Sequence, residues 1–280
     1  MSPEEFKLIV ESNLSKFFSP AINFEKLGGR QQCTFRINGK WIVKGYFDGN
    51  GNNVSSNQII KLTNVLQNVR YSLNKIGITI PFIRDEHRQL PFVFYEEVPG
   101  KPAGEFTDVM IKEFLTVLDI IHTPVSGQRI TDESKNASHF LNETKKACQV
   151  FCESEVNKQY LDIGIKCKTF LDTLTLKELV PDVLVPVHKD LATSNVLWNN
   201  KKMTGIIDWD DYSLADDPAQ DYATLLRVIG CKEFIQHINI MPLPENEKPE
   251  GLLLRSKLYG LRAGLMTGKG DLRMIGNCLE

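Results

Sequence analysis

Residues 187–222 limit what this chain can fold into more than any other stretch. Val187-His188-Lys189-Asp190 runs into Leu191-Ala192-Thr193-Ser194-Asn195 and the apolar Val196-Leu197-Trp198. A polar turn, Asn199-Asn200-Lys201-Lys202, precedes Gly205-Ile206-Ile207-Asp208-Trp209-Asp210 and Asp216-Asp217-Pro218-Ala219-Gln220-Asp221. Two short apolar runs around a polar turn predict a β-hairpin. Asp190 and Asn195 share one loop with four residues between them, and the hairpin is expected to return Asp208 beside Asn195. A carboxylate and an amide oxygen at strand ends suit Mg²⁺, which keeps several waters and takes further ligands from phosphates. Asp190, displaced along the same loop, is free to receive a proton from a hydroxyl nucleophile. A base Asp, an Asn beyond four intervening residues and a later metal-binding Asp form a phosphoryl-transfer arrangement.

In order and spacing, this set resembles the catalytic core of the aminoglycoside phosphotransferase-like (choline kinase-like) small-molecule kinases. There His-Gly-Asp, four residues and Asn precede Ile-Asp-Trp/Phe and then Asp-Pro-x-x-Asp. The resemblance implies an α+β, protein-kinase-like bilobal fold. Its N-terminal lobe (1–95) would be rich in β-sheet and bind nucleotide; residues 96–280 would supply a hinge and a mainly helical lobe for catalysis and substrate. It implies Asp190 as catalytic base, Asn195 and Asp208 as Mg²⁺ ligands, and ATP in the cleft. His188 is expected to anchor the loop and Asp221 to brace it through backbone hydrogen bonds. Lys189 departs from the family, which usually has Gly there; a solvated side chain and a phosphate-neutralising one both fit.

The front third agrees with this frame. Cys33–Ile37 and Trp41–Tyr46 flank Asn38-Gly39, a hairpin signal because both turn residues tolerate positive φ. By the resemblance, Lys44 would hold the α- and β-phosphates, and Gly28-Gly29 would belong to the nucleotide loop, a simple tight turn being the other reading. Backbone groups from Glu96 to Val98, before Pro99-Gly100, would bind adenine at the hinge. A helix is predicted from Ser55 or Ser56, one of them its N-cap, with a stripe from Ile59 to Ile76 and a stop at Gly77. Ile78–Ile80 and Phe92–Tyr95 read as strands. Helices are expected over 107–122, twice within 137–179, over 218–237 and over 251–266. Ser2 and Glu5 have the spacing of a capping box opening a helix through about Lys16.

One expected partner is missing. In this fold the phosphate lysine normally pairs with a glutamate on the following helix, yet residues 49–84 hold no Asp or Glu. Gln58 or Asn57 is the candidate hydrogen-bonding substitute, and neither neutralises Lys44. A non-catalytic, pseudokinase-like nucleotide-binding protein is therefore the alternative to an active ATP-dependent O-phosphotransferase acting on a small hydroxylated substrate. A protein kinase fits less well. No Ala-Pro-Glu element occurs, and nine residues between Asp208 and Pro218 are too few for an activation loop.

Charge narrows the partners. Thirty-three basic and 35 acidic residues give a net charge of −2, unlike a non-specific nucleic-acid binder. Residues 203–226 hold six Asp and no Lys or Arg, but 230–280 carries seven basic and six acidic residues, so a strongly cationic acceptor is not steered there. Sugars, amino alcohols, nucleosides and macrolides stand beside aminoglycosides as acceptors. No apolar run reaches the ~18–20 residues that span a bilayer, and the acidic start lacks a signal-peptide pattern. The six cysteines lack metal-site spacing and read as free thiols of a reducing cytosol. A cytoplasmic monomer without membrane or nucleic-acid partners is expected.

Overall fold

The computed structural model describes residues 2–15, 17–18, 22–28, 32–47, 54–84, 90–123, 133–266 and 271–279. The chain forms two compact units. Unit one is Met1–Lys101 with Leu197–Asn199 and Thr204–Asp210; unit two is Pro102–Val196, Asn200–Met203 and Asp211–Glu280.

Unit one opens with α1 (Pro3–Leu14). The predicted capping box is present: the Ser2 hydroxyl accepts from the Glu5 N–H at 3.2 Å, and the Glu5 carboxylate accepts from the Ser2 N–H at 2.6 Å. An antiparallel sheet follows, built from β1 (Phe24–Gly28), β2 (Gln32–Ile37), β3 (Trp41–Tyr46) and, after α2 (Ser55–Lys75), β4 (Val93–Glu96), in the order β1-β2-β3-β4. Asn38 (φ 50°) and Gly39 (φ 68°) form the turn between β2 and β3, closed by a 3.1 Å bond from Lys40 N–H to the Ile37 carbonyl.

Period-two alternation gives β3 two buried faces. Val43 joins Phe6, Val10, Leu14, Phe35 and Phe92 in the core between α1 and the sheet. Ile42, Lys44 and Tyr46 face the other way. Gly45 lets α1 lie this close: a Cβ there would stand 2.6 Å from the Phe6 ring.

At the start of α2 the structure corrects the sequence reading. Ser55 is the first helical residue, and its hydroxyl accepts from the Tyr46 N–H at 3.1 Å rather than capping the helix; Val54 holds the cap position without a side-chain bond. A buried N–H at the end of β3 needs an acceptor, and Ser55 supplies it. The helix stops at Gly77 (φ 83°) as expected. Among the described residues Ile78–Ile80 makes a single parallel bridge, Thr79 to Gly205, with bonds of 2.8 Å from Thr79 N–H to the Thr204 carbonyl and 3.0 Å from Ile206 N–H to the Thr79 carbonyl.

After the two-residue β5 (Lys101–Pro102), α3 (Asp108–Ile121) forms within the predicted 107–122 helix and buries Met110, Phe114, Val117, Leu118 and Ile121. Next come α4 (Glu133–Glu153), a 3₁₀ segment, α5 (Leu161–Thr173) and the one-turn α6 (Leu176–Leu179). The strands β6 (Val185–Val187), β7 (Val196–Asn199), β8 (Lys202–Ile206) and β9 (Ser213–Asp216) follow. β6 pairs with β9, and β7 with β8 makes the predicted hairpin, with Asn200 (φ 49°) and Lys201 (φ 67°) at its turn. Four helices close unit two: α7 (Ala219–Ile229), α8 (Cys231–Ile238), α9 (Pro249–Leu265) and α10 (Leu272–Leu279). Residues 218–237 read as one helix in sequence; Gly230, at φ 84°, divides it. All six cysteines are free thiols. Among the described residues no helix is long and apolar enough to cross a membrane.

Candidate functional site

In unit one, β3 presents Lys44 and Tyr46 from one face, and residues 204–210 bring two carboxylates to them. The Thr79–Gly205 bridge fixes the incoming strand, and Trp209 is buried, its indole N–H donating to the Ile206 carbonyl at 3.0 Å. With Trp209 turned inward and Asp208 in the left-handed region (φ 64°), the two flanking aspartates converge on one ammonium. Lys44 Nζ lies 2.6 Å from Asp208 Oδ1 and 2.8 Å from Asp210 Oδ2. The Tyr46 hydroxyl donates to Asp210 Oδ1 at 2.6 Å.

Burial acts against every charge in this cluster, and the neighbours decide the outcome. Burial works against the Lys44 ammonium, but Tyr95, Asp210 and Asp208 together raise its pKa above the usual lysine value. Asp210 is likewise penalised by burial, yet Lys44 and the Tyr46 hydrogen bond hold it below the carboxylate range. Asp208 goes up, because burial outweighs what Lys44 returns. Burial also pushes Tyr95 up to about 12.

The missing acid is thus supplied. Lys44 has no acidic partner on α2, where sequence reasoning looked, and pairs instead with Asp208 and Asp210 from 164 and 166 residues away. Asp210 and Tyr46 were missed as its partners. Their signal was present: Tyr46 stands two positions from Lys44 on one strand face, and Asp210 repeats Asp208 across a buried tryptophan. The side chain of Gln58 lies outside the described residues, as does Gly29. Gly28 ends β1, paired with Thr34.

Glu96 ends β4, its exposed carboxylate 2.9 Å from Lys40. Glu97 receives two bonds from Arg36, at 2.8 and 2.6 Å, and its N–H donates to the Lys40 carbonyl at 2.8 Å. Backbone groups alternate in direction along a strand, so Glu96 turns its N–H and C=O away from β3. Among the described residues β4 is an edge of the sheet, and that side of Glu96 is unpaired by any strand. Val98 is buried.

In unit two, the loop after β6 is held by one buried carboxylate. Asp221, at the start of α7, accepts from the His188 N–H at 2.9 Å and the Lys189 N–H at 2.8 Å, and lies 3.1 Å from His122 Nε2. His188 is fully buried, with its Nδ1 3.3 Å from the Asp190 N–H. Lys189 takes φ 72°, the conformation that glycine adopts without strain, and its ammonium pairs with Asp216. Asp190 is exposed. Asn195 Nδ2 donates to the Asp190 carbonyl at 2.8 Å and to Asp190 Oδ2 at 3.1 Å. The structure therefore joins Lys44 with Asp208 in unit one, and Asp190 with Asn195 in unit two.

A family comparison matches residues 68–240 to the phosphotransferase enzyme family. The chain belongs to the phosphotransferase enzyme family. The matched segment holds β4, the Asp190 loop, both aspartates bound to Lys44, and Asp221. Membership makes this a kinase-type phosphotransferase, and the resemblance seen in residues 187–222 holds. Solved phosphotransferase structures share its α+β fold, a sheet-containing N-terminal part followed by a mostly helical remainder. The GDP complex of aminoglycoside 2'-phosphotransferase-IIIa superposes with a TM-score of 0.60 at 19% identity, covering 100% of this chain and 96% of that one. Macrolide 2'-phosphotransferase type I gives 0.59 at 16% identity over 99% and 96%. An ADP-bound aminoglycoside phosphotransferase gives 0.57 at 17% over 98% and 96%. Identities this low speak to the fold alone. No curated protein matches the chain.

Proposed function

We propose that this phosphotransferase moves the γ-phosphate of a nucleoside triphosphate to a hydroxyl of a small molecule, with Asp190 as base. The acid pair on Lys44 carries this reading. It supplies by another route the acidic partner whose absence favoured a non-catalytic, pseudokinase-like protein. We take residues 1–95 as the nucleotide-binding lobe and 96–280 as the hinge and catalytic lobe. Lys44 then offsets charge on the α- and β-phosphates, the free edge at Glu96 and the backbone at Val98 receive adenine, and Gly28-Gly29 belong to the phosphate loop.

The donor set fits Mg²⁺. Asn195 donates its NH₂ to Asp190; its amide oxygen accepts from the Ser194 hydroxyl at 3.4 Å and keeps a lone pair for a cation, and Asp208 offers a carboxylate oxygen. Mg²⁺ bound there would neutralise charge on the transferred phosphoryl group. Asp190 orients the acceptor hydroxyl and takes its proton as the new oxygen–phosphorus bond forms; the bond from γ-phosphorus to the bridging oxygen breaks and the diphosphate leaves. Asn195 holds Asp190 in place, while Asp221 fixes the two preceding backbone N–H groups.

Neighbours of this fold are solved as GDP and ADP complexes, so both ATP and GTP are donors to test. The acceptor class spans aminoglycoside-like antibiotics and hydroxylated metabolites. A mass-spectrometric screen of such acceptors with each triphosphate tests the reading. A mass gain of one phosphate that requires Mg²⁺ is expected; nucleotide binding without transfer to any acceptor or to water would favour the non-catalytic, nucleotide-binding alternative.

A further inference from the structure

In unit two the loop that carries Asp190 contributes Ala192 and Thr193 to the wall of a crevice of about 250 Å³. Thr193, three residues past Asp190, forms one wall; Thr224 and Arg227 of α7 form a second; Asp271, Arg273 and Met274 at the start of α10 form a third. The reading of Asp190 as base makes this the space open to an acceptor, and the assignment of a ligand to the crevice rests on that reading. Its volume suits a ligand of a few carbons.

Arg227 is the unusual wall residue. Its guanidinium donates to the Ala223 carbonyl at 3.3 Å, to the Thr224 hydroxyl at 2.9 Å and to the Met274 sulfur at 3.4 Å. All three partners are neutral, and a thioether is a weak acceptor. Burial lowers the pKa of Arg227, opposed in part by Cys278, Asp190 and Asp271. Arg227 is half-buried, and a guanidinium withdrawn from water usually meets a carboxylate. Arg255, which is fully buried, obeys that rule: it bonds Asp217 at 2.9 Å and Glu247 at 2.7 Å. Asp271 is occupied at the start of α10, where its carboxylate accepts from the Met274 N–H at 3.0 Å. Arg273 adds a second, exposed positive charge to the same crevice.

We propose that the ligand entering this crevice carries an anionic group, a carboxylate or a phosphate, which Arg227 and Arg273 bind while its hydroxyl faces Asp190. The guanidinium fork matches either oxyanion in a bidentate manner.

Isothermal titration with gluconate, sorbitol 6-phosphate, sorbitol and kanamycin tests this, with saturating ADP and Mg²⁺ present to fill any nucleotide site. Gluconate and sorbitol share a skeleton and differ in charge; the phosphate ester separates the two anion sources. At least one of the two anions is expected to bind at least tenfold more tightly than sorbitol or kanamycin. Arg227→Gln is expected to remove that advantage, and the exposed Arg273→Ala to weaken it severalfold without threatening the fold. Arg227→Lys, which keeps the charge but loses the fork, should restore part of it. Equal binding of anion and sorbitol, tighter binding of kanamycin, or an anion affinity untouched by either arginine substitution would overturn the proposal. That last result is expected if Arg227 serves only to offset Asp190. Triphosphate hydrolysis measured without acceptor reports separately on the phosphotransfer reading, so the two can fail independently.

Discussion

Lys44 and Asp210 form a buried ion pair, 2.8 Å from ammonium to carboxylate, with side chains 10% and 15% exposed. Asp208 shares the ammonium at 2.6 Å but is 39% exposed. The two acids thus differ in setting: Asp210 is locked by Lys44 and Tyr46, and Asp208 stays partly open to solvent.

Asp210→Asn leaves a buried ammonium with one fewer charge partner. A loss of about 1–3 kcal/mol in stability is expected, together with weaker triphosphate binding. Asp208→Asn, at the more solvated site, should cost less stability. Denaturant unfolding and nucleotide titration of both variants check this; equal stability losses would remove the distinction.

Lys189 sits at φ 72° where the family usually has glycine. Its ion pair with Asp216 is partly exposed and worth at most about 1 kcal/mol. Lys189→Gly and Lys189→Ala both lose that pair, so comparing them isolates the backbone. The glycine variant should be more stable by about 1 kcal/mol. Chemical denaturation that finds the two equal would show that the loop does not hold this conformation in solution.

How much was legible in sequence depended on the reach of each interaction. The turn at Asn38-Gly39 and the box at Ser2 and Glu5 are set by neighbours three or four residues apart, and both form as read. Lys44 finds its acids 164 and 166 residues away, a pairing set by how Trp209 buries itself and how Thr79 holds Gly205. Ser55 failed as a cap for a similar reason: the Tyr46 N–H nine residues back claimed its hydroxyl. Arg227 gave no signal at all, because an arginine on an amphipathic helix reads as solvated until the opposite wall is known.

The Glu5 box gives a pH test. Hydrogen bonds from the Ser2 backbone and hydroxyl lower the folded-state pKa of Glu5. A lowered carboxylate contributes stability above its unfolded value, near ~4.3, and loses it as pH falls through the folded value. The gap in unfolding midpoint between the wild type and Glu5→Gln should be present at neutral pH and close in acid. A gap that widens on acidification has the wrong sign.

The rate of phosphoryl release from labelled triphosphate reads the role of Asp190 directly. In Asp190→Asn the nucleotide should still bind with wild-type affinity, since Lys44, Asp208 and Asp210 are unchanged. Turnover, to water or to any acceptor found, should fall by about 10²–10⁴-fold, the usual contribution of a positioned general base. Wild-type turnover in Asp190→Asn would contradict the assignment of Asp190 as the base.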